Sequence, residues 1–196
     1  MIRNRWILGL VLVSVGIIGL TLVFFQPKVY RMDDTFAISE RYLISLNMRD
    51  LAIGEIMEFK QNFYVTYHEE STGVGAFEML IDKGSGRIFP EYGPNMMWNV
   101  KYGHGGMMGG WSQTPSGQMS FDHNEAILIA QEFLDVSYPG TIAEDLHQFY
   151  GYYTIHVIKD GEIYGMLSVN GFDGAVWYHN WHGSYIQSRS VHEEGD

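Results

Sequence analysis

The hydrophobic pattern of the chain changes its period several times, and each change marks a predicted element. Residues 6–25 carry no charged side chain. A helix of about 20 residues is about 30 Å long, which matches the hydrocarbon core of a bilayer. This pattern predicts a transmembrane helix within a membrane anchor at residues 1–30. The segment ends in bulky residues up to Phe25 rather than in small ones, which favours an uncleaved anchor over a cleaved signal peptide.

The positive charges around this segment give a mild orientation signal. Arg3 and Arg5 precede it together with the terminal amine, and two basic residues follow it. The acidic Asp33 and Asp34 beside those two change the signal little, because acidic residues contribute little to the positive-inside rule. Because positive charge collects on the cytoplasmic side, the rest of the chain is expected outside the cytoplasm. The predicted location is the cell membrane, with a single pass and the C-terminal domains outside the cytoplasm.

Two later segments show the same order of predicted elements: a helical stripe, alternating strands, a glycine turn and a short strand. They cover residues 34–93 and 120–185, and the turn glycines Gly86 and Gly174 are 174 − 86 = 88 residues apart. In the first segment the helix is expected from Thr35 to about Glu58. A Gly/Met-rich connection at 94–119 separates the segments, and residues 186–196 form a polar tail.

The second segment resembles the PepSY domain, and the first resembles it less closely. The matching features are Ala126 and Ala130 on the helix, the strand 152–157, the hairpin Asp160-Gly161, Tyr164, and the turn and strand from Asn170 to Trp177. The resemblance implies tandem α+β modules, which are typical of extracytoplasmic and membrane-tethered proteins, and it supplies no catalytic residues. The predicted fold class is α+β: an N-terminal transmembrane helix, then two repeated modules, each one helix packed on a small antiparallel β-sheet.

Composition excludes several function classes. The chain has no cysteine, so it offers neither a disulfide nor a thiolate metal site. Its formal net charge of −11 disfavours nucleic-acid binding. His-Glu-x-x-His, Gly-x-Ser-x-Gly and phosphate-loop motifs are absent from the sequence. We therefore predict that the protein is not an enzyme.

Methionine and histidine cluster where the predicted fold does not require them. Thioether sulfur and imidazole together favour copper, particularly Cu(I), so copper is the possible cofactor. The alternative is that the methionines fill an irregular gap between the modules. The candidate metal ligands are Met96, Met97, His104, Met107, Met108, His179 and His182.

Aromatic residues are too numerous on the second predicted sheet for all of them to be buried in a small module. Some should form an exposed patch that binds a protein partner. The candidates are Tyr152, Tyr164, Trp177, Tyr178 and Trp181.

These patterns favour a non-catalytic, membrane-anchored interaction protein outside the cytoplasm, such as an accessory subunit of a membrane complex. A copper-handling protein is one alternative. A peptidase-inhibitor-like module is another, since PepSY domains occur in propeptides of thermolysin-type peptidases.

Overall fold

The computed structural model describes residues 29–103 and 118–190, which fold into helices and antiparallel strands. In chain order the elements are α1 (Met32–Leu46), β1 (Leu51–Phe59), β2 (Asn62–Glu69), β3 (Gly75–Asp82), β4 (Ile88–Pro90), α2 (Pro94–Met97), α3 (His123–Ser137), β5 (Ile142–Gln148), β6 (Tyr152–Lys159), β7 (Glu162–Asn170), β8 (Val176–Tyr178) and β9 (Tyr185–Ser190).

The strands form two antiparallel sheets. In each sheet the four strands of one unit lie side by side in chain order. The first sheet has the order β4-β3-β2-β1-β9 and the second has the order β5-β6-β7-β8. After β8 the chain leaves the second sheet and crosses to the first, where β9 pairs with β1 through Glu55 and Ser190. The last described strand therefore completes the sheet that the first strands began.

One helix covers the outer face of each sheet. On α3 the small or apolar residues Ala126, Ala130 and Leu134 recur every four positions and are fully buried against the second sheet. Asp122 begins this helix by accepting hydrogen bonds from the backbone N–H groups of Asn124 and Glu125. On the first sheet, α1 buries a corresponding stripe around Ile38.

The inner faces of the two sheets pack against each other. Met57, Phe59, Tyr64 and Leu80 of the first sheet form one buried cluster with Met166 of the second. Strands β2 and β3 are consequently buried on both faces, against α1 on one side and the second sheet on the other. The described residues thus form four layers in the order helix, sheet, sheet, helix.

The predicted fold class is wrong in two respects, although its mixed α+β character with antiparallel sheets agrees with the structure. Across residues 29–103 and 118–190, no helix is long and apolar enough to cross a membrane. The predicted span at residues 6–25 lies outside the described residues. The two helix-plus-sheet units are also not separate modules, because they share the cluster between the inner faces and β9 joins the first sheet.

Two shorter segments differ from their predicted structure. The first helix ends at Leu46 instead of continuing to Glu58, because Asn47 adopts a left-handed conformation with φ 52° and the chain then enters β1. Residues 185–190, which overlap the predicted polar tail, form β9. Backbone pairing with β1 orders this polar segment.

Candidate metal centre

Glu91, His179 and His182 meet between the inner faces, and we call them the inter-sheet centre. Glu91 Oε1 lies 3.3 Å from His179 Nδ1 and 2.9 Å from His182 Nε2. One ligand-type atom from each residue lies within 4.8 Å of the other two. All three side chains are at most 2% exposed. The centre therefore joins residues from distant parts of the chain in a closed site.

The strand ladders place Glu91 and His179 in equivalent positions. Glu91 N–H donates to the carbonyl of Glu78, and His179 N–H donates to the carbonyl of Met166. These pairs are related by the same offset, since 78 + 88 = 166 and 91 + 88 = 179. Each residue thus extends the short last strand of its unit against the strand beside it. Face-to-face packing of the sheets then brings the two side chains together.

One nitrogen of each histidine ring is held by a neighbouring polar side chain. His179 Nε2 forms a hydrogen bond of 3.0 Å with Ser168 Oγ. His182 Nδ1 forms one of 2.9 Å with Asn62 Oδ1. These contacts fix both rings and leave His179 Nδ1 and His182 Nε2 directed toward Glu91. Histidines that bind metals are commonly held in this way through the nitrogen that does not bind the ion.

The two imidazoles and the carboxylate of the centre are not joined to one another by hydrogen bonds of acceptable geometry. Glu91 Oε2, His179 Nδ1 and His182 Nε2 are buried and have no hydrogen-bond partner of acceptable geometry. Glu91 Oε1 accepts one hydrogen bond of 3.2 Å from Trp181 Nε1. Leaving a polar group buried and unpaired costs about 1–3 kcal/mol. Two such imidazole nitrogens directed at one buried carboxylate indicate a site suited to an additional atom.

Burial and neighbouring charges together set the pKa values of the three residues in the centre. Burial alone would raise the pKa of Glu91, but the charges and hydrogen-bonding groups of His179 and His182 lower it. Burial acts to lower the pKa of His179, but the Glu91 carboxylate outweighs it, so the pKa of His179 is raised. The pKa of His182 is lowered, chiefly by burial. Glu91 is therefore a carboxylate near neutral pH and His182 favours its neutral, ligand-competent form, whereas protonation of His179 is favoured and competes with an ion.

A second buried carboxyl group, that of Glu78, lies beside the centre. It accepts hydrogen bonds from the hydroxyls of Tyr64, Tyr152 and Thr154, the last two at 2.7 Å each. Burial and the charge of Glu91 raise the pKa of Glu78 to about 8. Near neutral pH this carboxyl group is therefore largely protonated, so it adds little negative charge to the interior.

The separations within the inter-sheet centre match those of ligands around one small divalent ion. With Zn–N and Zn–O bonds of about 2.0–2.2 Å, neighbouring ligand atoms lie roughly 2.8–3.6 Å apart for angles from about 90° to tetrahedral. The two distances from Glu91 Oε1, 2.9 and 3.3 Å, fall in that range. Two imidazoles and a carboxylate suit Zn²⁺, Cu²⁺ or Ni²⁺ better than Cu⁺, which prefers sulfur ligands.

The structure brings together only some of the metal ligands predicted from the sequence. His179 and His182 meet, as described above. Met96 is half-buried on α2, and Met97 on the same helix is 68% exposed. The remaining candidates, His104, Met107 and Met108, lie outside the described residues.

The aromatic residues predicted to bind a partner occupy different environments. Tyr152 is fully buried, with its hydroxyl on Glu78, so it is not part of an exposed patch. Tyr178 stacks on Tyr138 with ring centroids 4.2 Å apart, and Trp181 stacks on His179 at 4.8 Å. The other two, Tyr164 and Trp177, are 46% and 37% exposed.

Sequence reasoning missed Glu91, the residue that completes the centre. It lies between Pro90 and Tyr92 and belongs to no recognisable motif. The 88-residue offset was the available signal, because it places Glu91 opposite His179. The residue 88 positions after Glu91 is His179, so the offset that relates the turn glycines also pairs this carboxylate with an imidazole.

Comparisons with known proteins add little to this description. No protein-family model matches the chain, and no curated protein matches it significantly. Among solved structures, the Bacillus megaterium YpeB C-terminal domain is similar with a TM-score of 0.29 and 13% sequence identity, covering 77% of this chain and 62% of that one. The chain thus spans less than two thirds of that structure. With so low a TM-score, the likeness carries no argument about fold or function.

Proposed function

We propose that this protein binds one divalent first-row transition-metal ion, Zn²⁺ or Cu²⁺, at the inter-sheet centre. The observation that carries the proposal is that His179 Nδ1 and His182 Nε2, both buried and without a hydrogen-bond partner, converge on the buried Glu91 carboxylate, whose Oε1 lies 3.3 and 2.9 Å from them. Both imidazoles are already oriented through their other nitrogens. The ligand set is thus pre-organised before any ion enters.

An ion in this position would connect the two sheets. Glu91 follows β4 of the first sheet, whereas His179 and His182 follow β8 of the second. An unfolded chain does not hold these residues together, so the free energy of metal binding would add to the stability of the folded state. Because the ligands are buried, we expect the ion to be taken up during folding and exchanged slowly afterwards.

Copper(I) binding by the Gly/Met-rich connection remains a separate prediction from the sequence. The inter-sheet centre offers imidazole and carboxylate rather than thioether ligands, which favours Cu²⁺ or Zn²⁺ over Cu⁺. Location outside the cytoplasm and the absence of enzymatic activity likewise stay predictions from the sequence.

Metal content and stability of the full-length protein test the proposal. Protein folded with Zn²⁺ should retain about one slowly exchanging ion per chain, and Glu91→Gln should lose it. Glu132→Gln is the matched control, since Glu132 is exposed on α3. If Glu91→Gln does not fold, the absorption spectrum of wild-type protein refolded with Co²⁺ provides a second readout. An octahedral aquo-ion spectrum with no retained Zn²⁺ would refute the proposal.

A second candidate function, protein binding, is favoured by exposed apolar side chains around α2. Trp177 packs against Gly93 and its ring lies 5.9 Å from that of Trp98, while remaining 37% exposed. Tyr92 and Met97 beside it are 48% and 68% exposed. If this surface binds a partner, proteins that co-purify with the wild type should be lost with Trp177→Ala. Retention of the same proteins would exclude this surface.

A further inference from the structure

A cleft opens between the first sheet and the start of the second, away from the inter-sheet centre. Its volume is about 870 Å³, and it is lined in part by Glu55, Asp145, His147 and Ser190. Glu55 belongs to β1, whereas Asp145 and His147 belong to β5. Both sheets therefore contribute polar side chains to its wall.

Glu55, His147 and His156 form a second group of potential metal ligands, which we call the cleft cluster. One ligand-type atom from each of them lies within 4.8 Å of the other two. Glu55 Oε2 lies 3.8 Å from His156 Nε2, and the two histidine rings have centroids 5.5 Å apart. These separations leave room for an ion among the three groups.

Asp145 orients His156 within this cluster. Its Oδ2 atom lies 3.0 Å from His156 Nδ1 and 3.6 Å from His147 Nε2. Asp145 reaches this position because β5 shifts its register between Glu144 and Leu146, and its own φ is 52°. A β-bulge redirects a side chain in this way and is often found next to functional sites.

One nitrogen of each histidine in the cluster lacks a hydrogen bond. His156 Nε2 and His147 Nε2 are both buried atoms without a hydrogen-bond partner. The side chain of His156 is only 3% exposed, so water does not readily compensate it. An orienting carboxylate on one nitrogen and an open second nitrogen is the arrangement of a metal-binding histidine.

We propose that the cleft cluster is a second metal site, in which Glu55, His147 and His156 bind an exchangeable divalent ion such as Zn²⁺ or Cu²⁺. The site shares no ligand with the inter-sheet centre. It differs also in access, because the side chain of His147 is 39% exposed and that of Glu55 is 18% exposed. Coordination positions that the protein does not fill face the cleft, so the ion exchanges with solvent.

Zinc titration of the full-length protein tests this site. A fast chelator separates an ion released within seconds from one held in the buried centre. We expect His147→Ala to lower the affinity for the rapidly exchanging Zn²⁺ by at least about 10-fold. The affinity of His123→Ala for this ion should stay within about 2-fold of wild type, because His123 lines the same cleft but is not part of the cluster.

The outcomes separate this proposal from the one above. Equal affinity of wild type and His147→Ala, or no rapidly exchanging ion at all, would refute the cleft site. Glu55→Gln tests it again if His147→Ala does not fold. Glu91→Gln should remove only the slowly exchanging ion, so loss of the two ions through different substitutions identifies two sites.

Discussion

Glu91 and His179 occupy equivalent positions in the two units and face each other across the sheets, with Glu91 Oε1 3.3 Å from His179 Nδ1. Matching backbone hydrogen bonds to Glu78 and Met166 hold both residues in place. An acid in one unit and an imidazole in the other form a complementary pair at the contact between the units. The inter-sheet centre forms because the two equivalent positions carry different residues, a carboxylate in one unit and an imidazole in the other.

The hydrogen bond from Asn62 to His182 should matter for metal affinity. Asn62 Oδ1 lies 2.9 Å from His182 Nδ1, and Asn62 Nδ2 also donates to the carbonyl of Trp181. Asn62→Ala removes this support without removing a ligand, so we expect the affinity for Zn²⁺ to fall about 10–100-fold. Competition with chelators of known affinity measures the change. Gln61→Ala is the control, since Gln61 is exposed and adjacent; an equal loss in both variants would contradict a positioning role for Asn62.

Glu78 should make the metal-free protein less stable as the pH rises. Its pKa is raised by burial from 4.5 to about 8, so the folded state binds a proton that the unfolded state releases. The contribution of Glu78 to the free energy of unfolding should therefore be most favourable below pH 4.5 and fall as the pH rises toward 8, by at most about 1.4 kcal/mol per pH unit. Glu78→Gln, which resembles the protonated acid, should remove this slope. Denaturant unfolding at several pH values measures it, and parallel curves for the two proteins would contradict the prediction.

Glu69 should have the opposite effect at low pH. Burial alone would raise its pKa, but hydrogen bonds from Lys101, Tyr102, Tyr150 and Thr72 lower it from 4.5 to about 2. Its contribution to stability is complete above pH 4.5 and is lost as the pH falls toward 2. Glu69→Gln should cost about 1–3 kcal/mol at neutral pH and less in acid. The measurement is thermal unfolding at pH 7 and at pH 3, with the exposed Glu70→Gln as control; an equal cost at both pH values would exclude this account.

The two units should unfold together. Leu134 and Val65 are fully buried in the helix-facing cores of the second and first sheets. Leu134→Ala should destabilise by about 2–5 kcal/mol, and Val65→Ala, which removes a smaller part of its side chain, by less. Because the units share an interior and β9, both should lower the midpoint of one common transition. Two transitions, each shifted by only one substitution, would show that the units are independent modules.

The sequence predicted the local elements better than the way they assemble. The stripe of Ala126, Ala130 and Leu134 predicts α3, and the turn at Gly174 predicts the end of β7. An alternating pattern predicts strands buried on one face, whereas β2 and β3 have apolar residues on both faces and are buried on both. It also does not show that the polar segment 185–190 pairs with β1, since this strand forms through backbone hydrogen bonds.

The candidate site was only partly predicted, because some of its residues come from distant segments of the chain. His179 and His182 lie three residues apart and were visible as a pair, whereas Glu91 and Asn62 come from distant segments. Only the packing of one sheet on the other brings these four residues together. The ligands of the cleft cluster likewise come from three strands, β1, β5 and β6, and no sequence spacing relates them.

Anomalous diffraction from crystals of the full-length protein folded with Zn²⁺ tests the central claim most directly. Difference maps from data collected above and below the zinc absorption edge should show a peak among Glu91, His179 and His182. The peak should lie about 2.0–2.2 Å from His179 Nδ1, His182 Nε2 and the Glu91 carboxylate. No peak there, with Glu91 hydrogen-bonded directly to both imidazoles, would contradict the claim.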